Sequence, residues 1–269
     1  FRSTMKRTTY IITGMLTLTL FALLSSIFFV VQRSKTKKYA GELSAEYKEL
    51  SVAGVRALAL MQANTPHRVY AFGTLQVVAP DAQHKPNTLY YPKDLEGYIK
   101  HTIRKDTLFV EVDFTKGKAQ AESNTRDIFV DKVTMVLVAD SALKDVLSYV
   151  GGLSIHAKGI VQKDICFSGK DVILVDSCRF EKASFTGKDA CYTNVKIIKS
   201  QIEDAYLNLD FVEQWATEHS TMNTIHCSGR NKGSRVSADS LRVVHWEPTD
   251  EEAELNLVLK KKATVHIEY

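Results

Sequence analysis

Between Asp164 and Leu209, apolar and polar positions alternate in short triplets: Ile165-Cys166-Phe167, Cys178-Arg179-Phe180, Ala183-Ser184-Phe185 and Val195-Lys196-Ile197. Alternation with period 2 marks a half-buried strand, because successive side chains leave opposite faces. Phe167-Ser168-Gly169-Lys170-Asp171 returns eighteen residues later as Phe185-Thr186-Gly187-Lys188-Asp189, with four identities in five. Short strands punctuated by Gly and Asp/Asn turns at near-regular spacing predict a coil stacked rung on rung. A rung cannot bury its apolar face alone, so neighbouring rungs supply the core. On this reading Phe167 and Phe185 face inward, one above the other, while Lys170 and Lys188 face solvent.

The pattern on either side is also strand-like. Tyr47 to Leu60 reads as a hairpin or as a strand bent at Gly54, and Arg68 to Val78 as a further strand. Pro66, Pro80, Pro86 and Pro92 cluster, which makes Pro80 to Pro92 a loop or edge excursion. Asp94 to Ile103 places Leu95, Tyr98, Ile99 and Thr102 on one helical face and predicts a short helix. Thr107 to Phe114 alternates as a strand with Leu108, Val110, Val112 and Phe114 on one side. Val133 to Ala139 is nearly all apolar, as expected of a strand covered on both faces. Ser141 to Val150 fits either a helix or a rung. Asp210-Phe211-Val212-Glu213 has the spacing of a capping box and predicts a short helix reaching His219. Leu241–Trp246, Leu255–Leu259 and Ala263–Tyr269 read as closing strands.

A different pattern stands at the N-terminus. Tyr10 to Val31 is 22 residues without a charge, long enough to cross a hydrocarbon core of roughly 30 Å as a helix. The apolar run continues past the small residues of Ala22 to Ser26, which favours an uncleaved anchor over a cleaved signal. The expected organisation is a basic segment at 1–9, a transmembrane helix at 10–31, a basic stalk at 32–44 and an all-β domain at 45–269. The flanking charges count two basic residues before the span (from Met5) and four after it, which by the positive-inside rule favours a cytoplasmic β domain. The N-terminal amine narrows this difference, and a single helix that also serves as an export signal can tolerate it.

Charge changes the picture only at this end. The chain has a formal net charge of +4, yet residues 1–38 hold seven basic and no acidic residues, leaving 28 Lys+Arg against 31 Asp+Glu in the remainder. The basicity therefore belongs to the membrane edge. No basic stripe on the β domain points to nucleic acid.

The order of features resembles a known family. Tyr47-Lys-Glu-Leu-Ser-Val-Ala-Gly-Val, Leu95-Glu-Gly-Tyr-Ile and the strand from Asp106 resemble the opening of the auto-transporter adhesin head (GIN) domain family. Lys132-Val-Thr-Met-Val-Leu-Val-Ala, Leu143-Lys-Asp-Val-Leu, Leu153-Ser-Ile-His and the Ser-Gly and Thr-Gly turns resemble its repetitive second half. The likeness runs over about 46–239. It implies a right-handed parallel β-helix of an exported bacterial protein, with no catalytic residues to carry over.

Candidate chemistry is sparse. Cys166, Cys178, Cys191 and Cys227 contain no Cys-x-x-Cys pair, so they read as small buried residues rather than zinc ligands; a disulfide among them stays open. His219, His226 and Cys227 form a conceivable metal cluster, outweighed by loop and strand roles for each. If eighteen residues make one rung, Asp171 and Asp189 stack and become weak candidates for a Ca²⁺ ladder, although Lys170 and Lys188 beside them favour plain turn roles. No nucleophile elbow, metalloprotease helix or phosphate loop occurs, and no cofactor is implied. The resulting expectation is a non-catalytic, inner-membrane-anchored binding or scaffold module on the periplasmic side, whose partners are the membrane through Tyr10–Val31 and an envelope polysaccharide or protein. The alternatives are a β-helix carbohydrate-active enzyme, for which only Asp171, Asp189, Lys170 and Lys188 offer themselves, and a cytoplasmic domain of a membrane signalling complex.

Overall fold

The computed structural model describes residues 2–33, 38–39, 46–64, 68–82, 84–113, 127–187, 193–230, 233, 235–260 and 266–268. The chain divides into two compact units, 1–38 and 39–269.

The first unit is built on helix α1 (Arg2–Arg33). Its window Tyr10–Phe28 has a mean hydropathy of 2.1 and no buried residue, so length and composition suffice to cross a membrane. The hydroxyls inside it are satisfied within the helix: Thr17 donates to the Thr13 carbonyl, Thr19 to Met15 and Ser26 to Ala22, at 2.7–2.8 Å. In an apolar medium such back-bonding removes the cost of an unpaired hydroxyl.

Besides a two-residue strand β1 (Lys38–Tyr39), the second unit forms two long sheets. One runs β2 (Tyr47–Ser51), β5 (Thr88–Pro92), β8 (Asp127–Val138), β4 (Arg68–Val78), β10 (Leu153–Lys158), β12 (Val172–Asp176), β14 (Thr193–Ile198), β16 (Val212–Glu218), β18 (Arg235–Ala238) and β20 (Asn256–Leu259). The other runs β6 (Ile99–Arg104), β7 (Thr107–Val112), β3 (Ala57–Gln62), β9 (Asp145–Ser148), β11 (Val161–Gly169), β13 (Arg179–Thr186), β15 (Gln201–Asn208), β17 (Thr221–Gly229), β19 (Val243–Pro248) and β21 (His266–Glu268).

From β9 onward the chain alternates between the sheets, and each strand pairs in parallel with the strand two further on. The inward columns follow from that register. Phe167, Phe185, Leu207, Cys227 and Trp246 stack in one sheet. Ile155, Ile173, Val195, Trp215, Val236 and Leu257 stack in the other. All but Leu257 are buried, and Leu257 packs against the core they form.

The other end is less regular. Strands β3 and β4 lie between β7–β8 and β9–β10, pairing in parallel with both neighbours, so the chain lays one layer, moves outside it, then crosses back. Antiparallel pairs of β6 with β7, β5 with β8 and β2 with β5 finish this end. The sheets are therefore mixed, and they do not close on themselves.

One corner recurs. The turns from β10 to β11, β12 to β13, β14 to β15 and β16 to β17 are two residues long, and their first residue has positive φ: Gly159 (66°), Ser177 (56°), Lys199 (48°) and His219 (52°). The second residue is buried at each, Ile160, Cys178, Ser200 and Ser220. These form an interior ladder: Ile160 N–H donates to Cys178 Sγ (3.4 Å), Cys178 N–H to Ser200 Oγ (3.0 Å) and Ser200 N–H to Ser220 Oγ (3.1 Å). Corner amides that have left the sheet ladders are thereby satisfied.

Four local expectations need correction. Asp94–Ile103 is a three-residue 3₁₀ turn (Lys93–Leu95) followed by strand β6, because Ile99 to Arg104 pair with β7. The Trp215 segment is strand β16, because Trp215 sits in register between Val195 and Val236. Thr88–Pro92 within the Pro-rich excursion is strand β5. At Gly54 (φ 76°) the chain passes from one sheet to the other, so the stretch is neither a hairpin nor one bent strand but two strands, β2 and β3, in different sheets. Ser141–Val150, open between helix and rung, contains β9. All four alternating triplets are as expected, with outer residues buried and the middle residue on the opposite face.

Candidate functional site

The middle residues of the triplets in the second sheet point away from the core, and the parallel register sets them in a row. Asp145 lies beside Cys166, Cys166 beside Ser184, Ser184 beside Tyr206, Tyr206 beside His226 and His226 beside His245. A parallel neighbour stands one strand spacing away, about 4.8 Å, so flat side chains at successive positions must stack. They do. The Tyr206 and His226 rings are 4.4 Å apart and 6° from parallel, and the His226 and His245 rings are 4.7 Å apart and 12° from parallel.

Polar rows flank this ladder. On one side Ser168 lies beside Thr186, and Asn208, Ser228 and Glu247 follow strand by strand; on the other Asp164, Lys182 and Asp204 do so. Two shallow cavities open on the row. One, of about 250 Å³, is lined by Ser184, Thr186, Tyr206, His226, His245 and Glu247 among others. The second, of about 390 Å³, is lined by Lys144, Asp145, Asp164, Cys166, Lys182, Ser184 and Tyr206 together with Ile165. Ser184 and Tyr206 belong to both, so the two adjoin along the row as a shallow groove.

The electrostatics keep the ladder neutral at its centre. Partial burial lowers the His226 pKa below its usual 6.5, the neighbouring His245 lowers it further, and Asp204 opposes. A neutral imidazole offers one donor and one acceptor on its edge. Stacking covers both faces of His226 and one face each of Tyr206 and His245, so the middle ring meets a ligand through its edge alone. The Tyr206 face turned away from His226 looks toward the small side chains of Ser184 and Cys166. At that end Lys144 pairs with Asp164 at 3.3 Å, and burial, then the charge of Asp106, raises the Asp145 pKa.

The residues singled out in the sequence fall elsewhere. Asp171 accepts the Gly152 N–H at 2.7 Å with its carboxylate, while Asp189, Lys188 and Cys191 lie outside the described residues. Lys170 is half-buried rather than exposed. His219 occupies a corner with its N–H on Asp239 Oδ2, and His226 and Cys227, as strand neighbours, leave opposite faces, so these three do not converge. Among the described residues no three His, Cys, Asp or Glu side chains gather as a metal site. Cys166, Cys178 and Cys227 are free thiols, and burial pushes their pKa values up to about 11, 11 and 12. The Tyr206–His226–His245 ladder escaped sequence reading because its members are twenty and nineteen residues apart, whereas the visible repeat had a period of eighteen.

No family model matches the chain, and no curated protein matches it. Solved structures do. A "putative adhesin" of Bacteroides fragilis NCTC 9343 superposes with TM-score 0.46 at 12% identity, covering 84% of this chain and 98% of that one. A "putative lipid binding protein" of Parabacteroides distasonis ATCC 8503 gives 0.41 at 11%, covering 87% and 100%. A "putative adhesin" of Parabacteroides merdae ATCC 43184 gives 0.39 at 12%, covering 85% and 97%. Similarity at this level carries no argument about activity, and the functional reading rests on the groove.

Proposed function

We propose that this chain is a non-catalytic binding module of the bacterial cell envelope: a right-handed parallel β-helix of the GIN type, held in the inner membrane through Tyr10–Val31, with its β unit on the periplasmic side. The observation that carries the reading is the outward Tyr206–His226–His245 ladder, three stacked rings lining a groove among Ser, Thr, Asn and Glu side chains. Large flat side chains held rigid on adjacent strands supply contact area at little cost in conformational entropy, and the polar rows fix orientation. Such a surface suits an extended polymer lying along the rungs, an envelope polysaccharide or a protein strand. The test is retention of the chain on immobilised envelope polysaccharide. We expect His226→Ala/His245→Ala to reduce retention at least tenfold without lowering thermal stability by more than a few degrees. Unchanged retention places the binding face elsewhere. No retention of the wild type removes the polysaccharide.

A further inference from the structure

The ladder stops abruptly, and what lies beyond it has the form of a subsite. The positions that follow Tyr206 in register are Ser184 and then Cys166, both too small to continue the stack. Tyr206, 36% exposed, therefore has one ring face against His226 and the other over the larger of the two cavities. That cavity is floored by Ser184 and Cys166, and around it stand Lys144, Asp164, Asp145 and Lys182. Ring spacings of 4.4 and 4.7 Å within the ladder set the place of the next member: a flat ring one strand further on, above Ser184.

We propose that this step is a subsite for a neutral pyranose ring, seated on the free face of Tyr206 in the place that an aromatic residue at position 184 would fill. The proposal rests on the binding-face reading above and names its ligand. An aromatic face carries negative potential, and the axial C–H groups on one face of a pyranose carry partial positive charge, so the two attract. The surrounding groups decide against a plain aromatic ligand, because ammonium and carboxylate side chains bond hydroxyls well and an apolar ring edge badly. They also decide against a charged sugar. Two lysines and two aspartates leave the cavity without net charge, and the Lys144–Asp164 pair is internally balanced.

Saturation-transfer difference NMR on the full chain, held in phosphocholine micelles to avoid sugar-headed detergents, tests this with the methyl glycosides of glucose, galactose, mannose and N-acetylglucosamine. At least one should receive saturation, strongest at the C–H protons of one ring face. Ser184→Phe, which fills the step, and Tyr206→Ala should each weaken binding at least tenfold, while Tyr206→Phe, which keeps the ring, should preserve it within about threefold. Near-UV circular dichroism checks that the variants stay folded. Silence from all four glycosides, equal binding by Ser184→Phe, or saturation of indole but of no glycoside would each overturn the subsite. If polysaccharide still binds and weakens in the His226→Ala/His245→Ala variant, only the subsite falls. If neither polysaccharide nor glycoside binds, both readings fall.

Discussion

Phe167 and Phe185 stand opposite each other on β11 and β13, both fully buried, with ring centroids 5.8 Å apart and planes 28° from parallel. Phe185 and Trp215 also form a T-shaped pair with ring centroids 4.9 Å apart, so the ring column ties the two sheets together. Truncating either Phe to Ala removes a buried side chain and leaves a cavity, and should cost about 3–5 kcal/mol in urea melts. The double variant should cost less than the sum of the two, because the rings share one cavity. Full additivity would show that they do not support each other.

The corner ladder makes a second claim about stability. Ser200 Oγ accepts the buried Cys178 N–H and donates to the Ile198 carbonyl. Ser200→Ala strands that amide and should cost about 1–3 kcal/mol. Cys178→Ser, which keeps a small hydrogen-bonding group facing Ile160 N–H, should cost about 1 kcal/mol or less. A Ser200→Ala variant as stable as the wild type would mean that water replaces the hydroxyl.

Gly73 makes a third. It sits where the β4–β8 register shifts, and an added Cβ would collide with the main chain of Val133. Since backbone cannot swing aside as a side chain does, Gly73→Ala should separate β4 from β8 locally and destabilise the protein by several kcal/mol. Thermal denaturation measures it, and an unchanged midpoint would refute the close approach.

The pH dependence has a defined sign. Burial lowers the pKa of His156 and of His226, with His245 adding to the effect at His226. The folded form therefore binds these protons less readily than the unfolded chain. The stability linked to them is complete above pH 6.5 and is lost as pH falls through 6.5 toward the lower folded values. The thiols act at the other extreme. Their folded pKa values of about 11 to 12 lie above the ordinary 9.0, so stability linked to them is complete below pH 9 and declines as pH rises beyond it. Denaturation between pH 5 and 8 should slope downward toward acid, and His226→Gln should flatten that slope. An unchanged slope would place the titration on other groups.

Much of the β architecture was legible because burial leaves a period-2 trace: every alternating triplet lies as its pattern predicted, and the Phe167–Phe185 pair follows from the local repeat. The corners were not legible. Three of the four recurrent αL positions are Ser177, Lys199 and His219, so the glycine that usually signals such a turn is missing. The capping-box spacing before Trp215 misled because local propensity yields to a register in which Trp215 completes an inward column. The groove was hidden for a related reason: loops of varying length change the repeat from eighteen residues to twenty-two, twenty and nineteen, so only strand pairing brings Tyr206, His226 and His245 together.

The central claim is that the outer face of the second sheet, centred on the Tyr206–His226–His245 ladder, is where this protein binds. The direct measurement follows the imidazole ¹H–¹⁵N correlations of His226 and His245 while envelope polysaccharide is added to the full chain. The expected result is a saturable shift of both, with His219 at its corner unmoved, and loss of the response in Tyr206→Ala. Saturable binding that leaves His226 and His245 unshifted would contradict it.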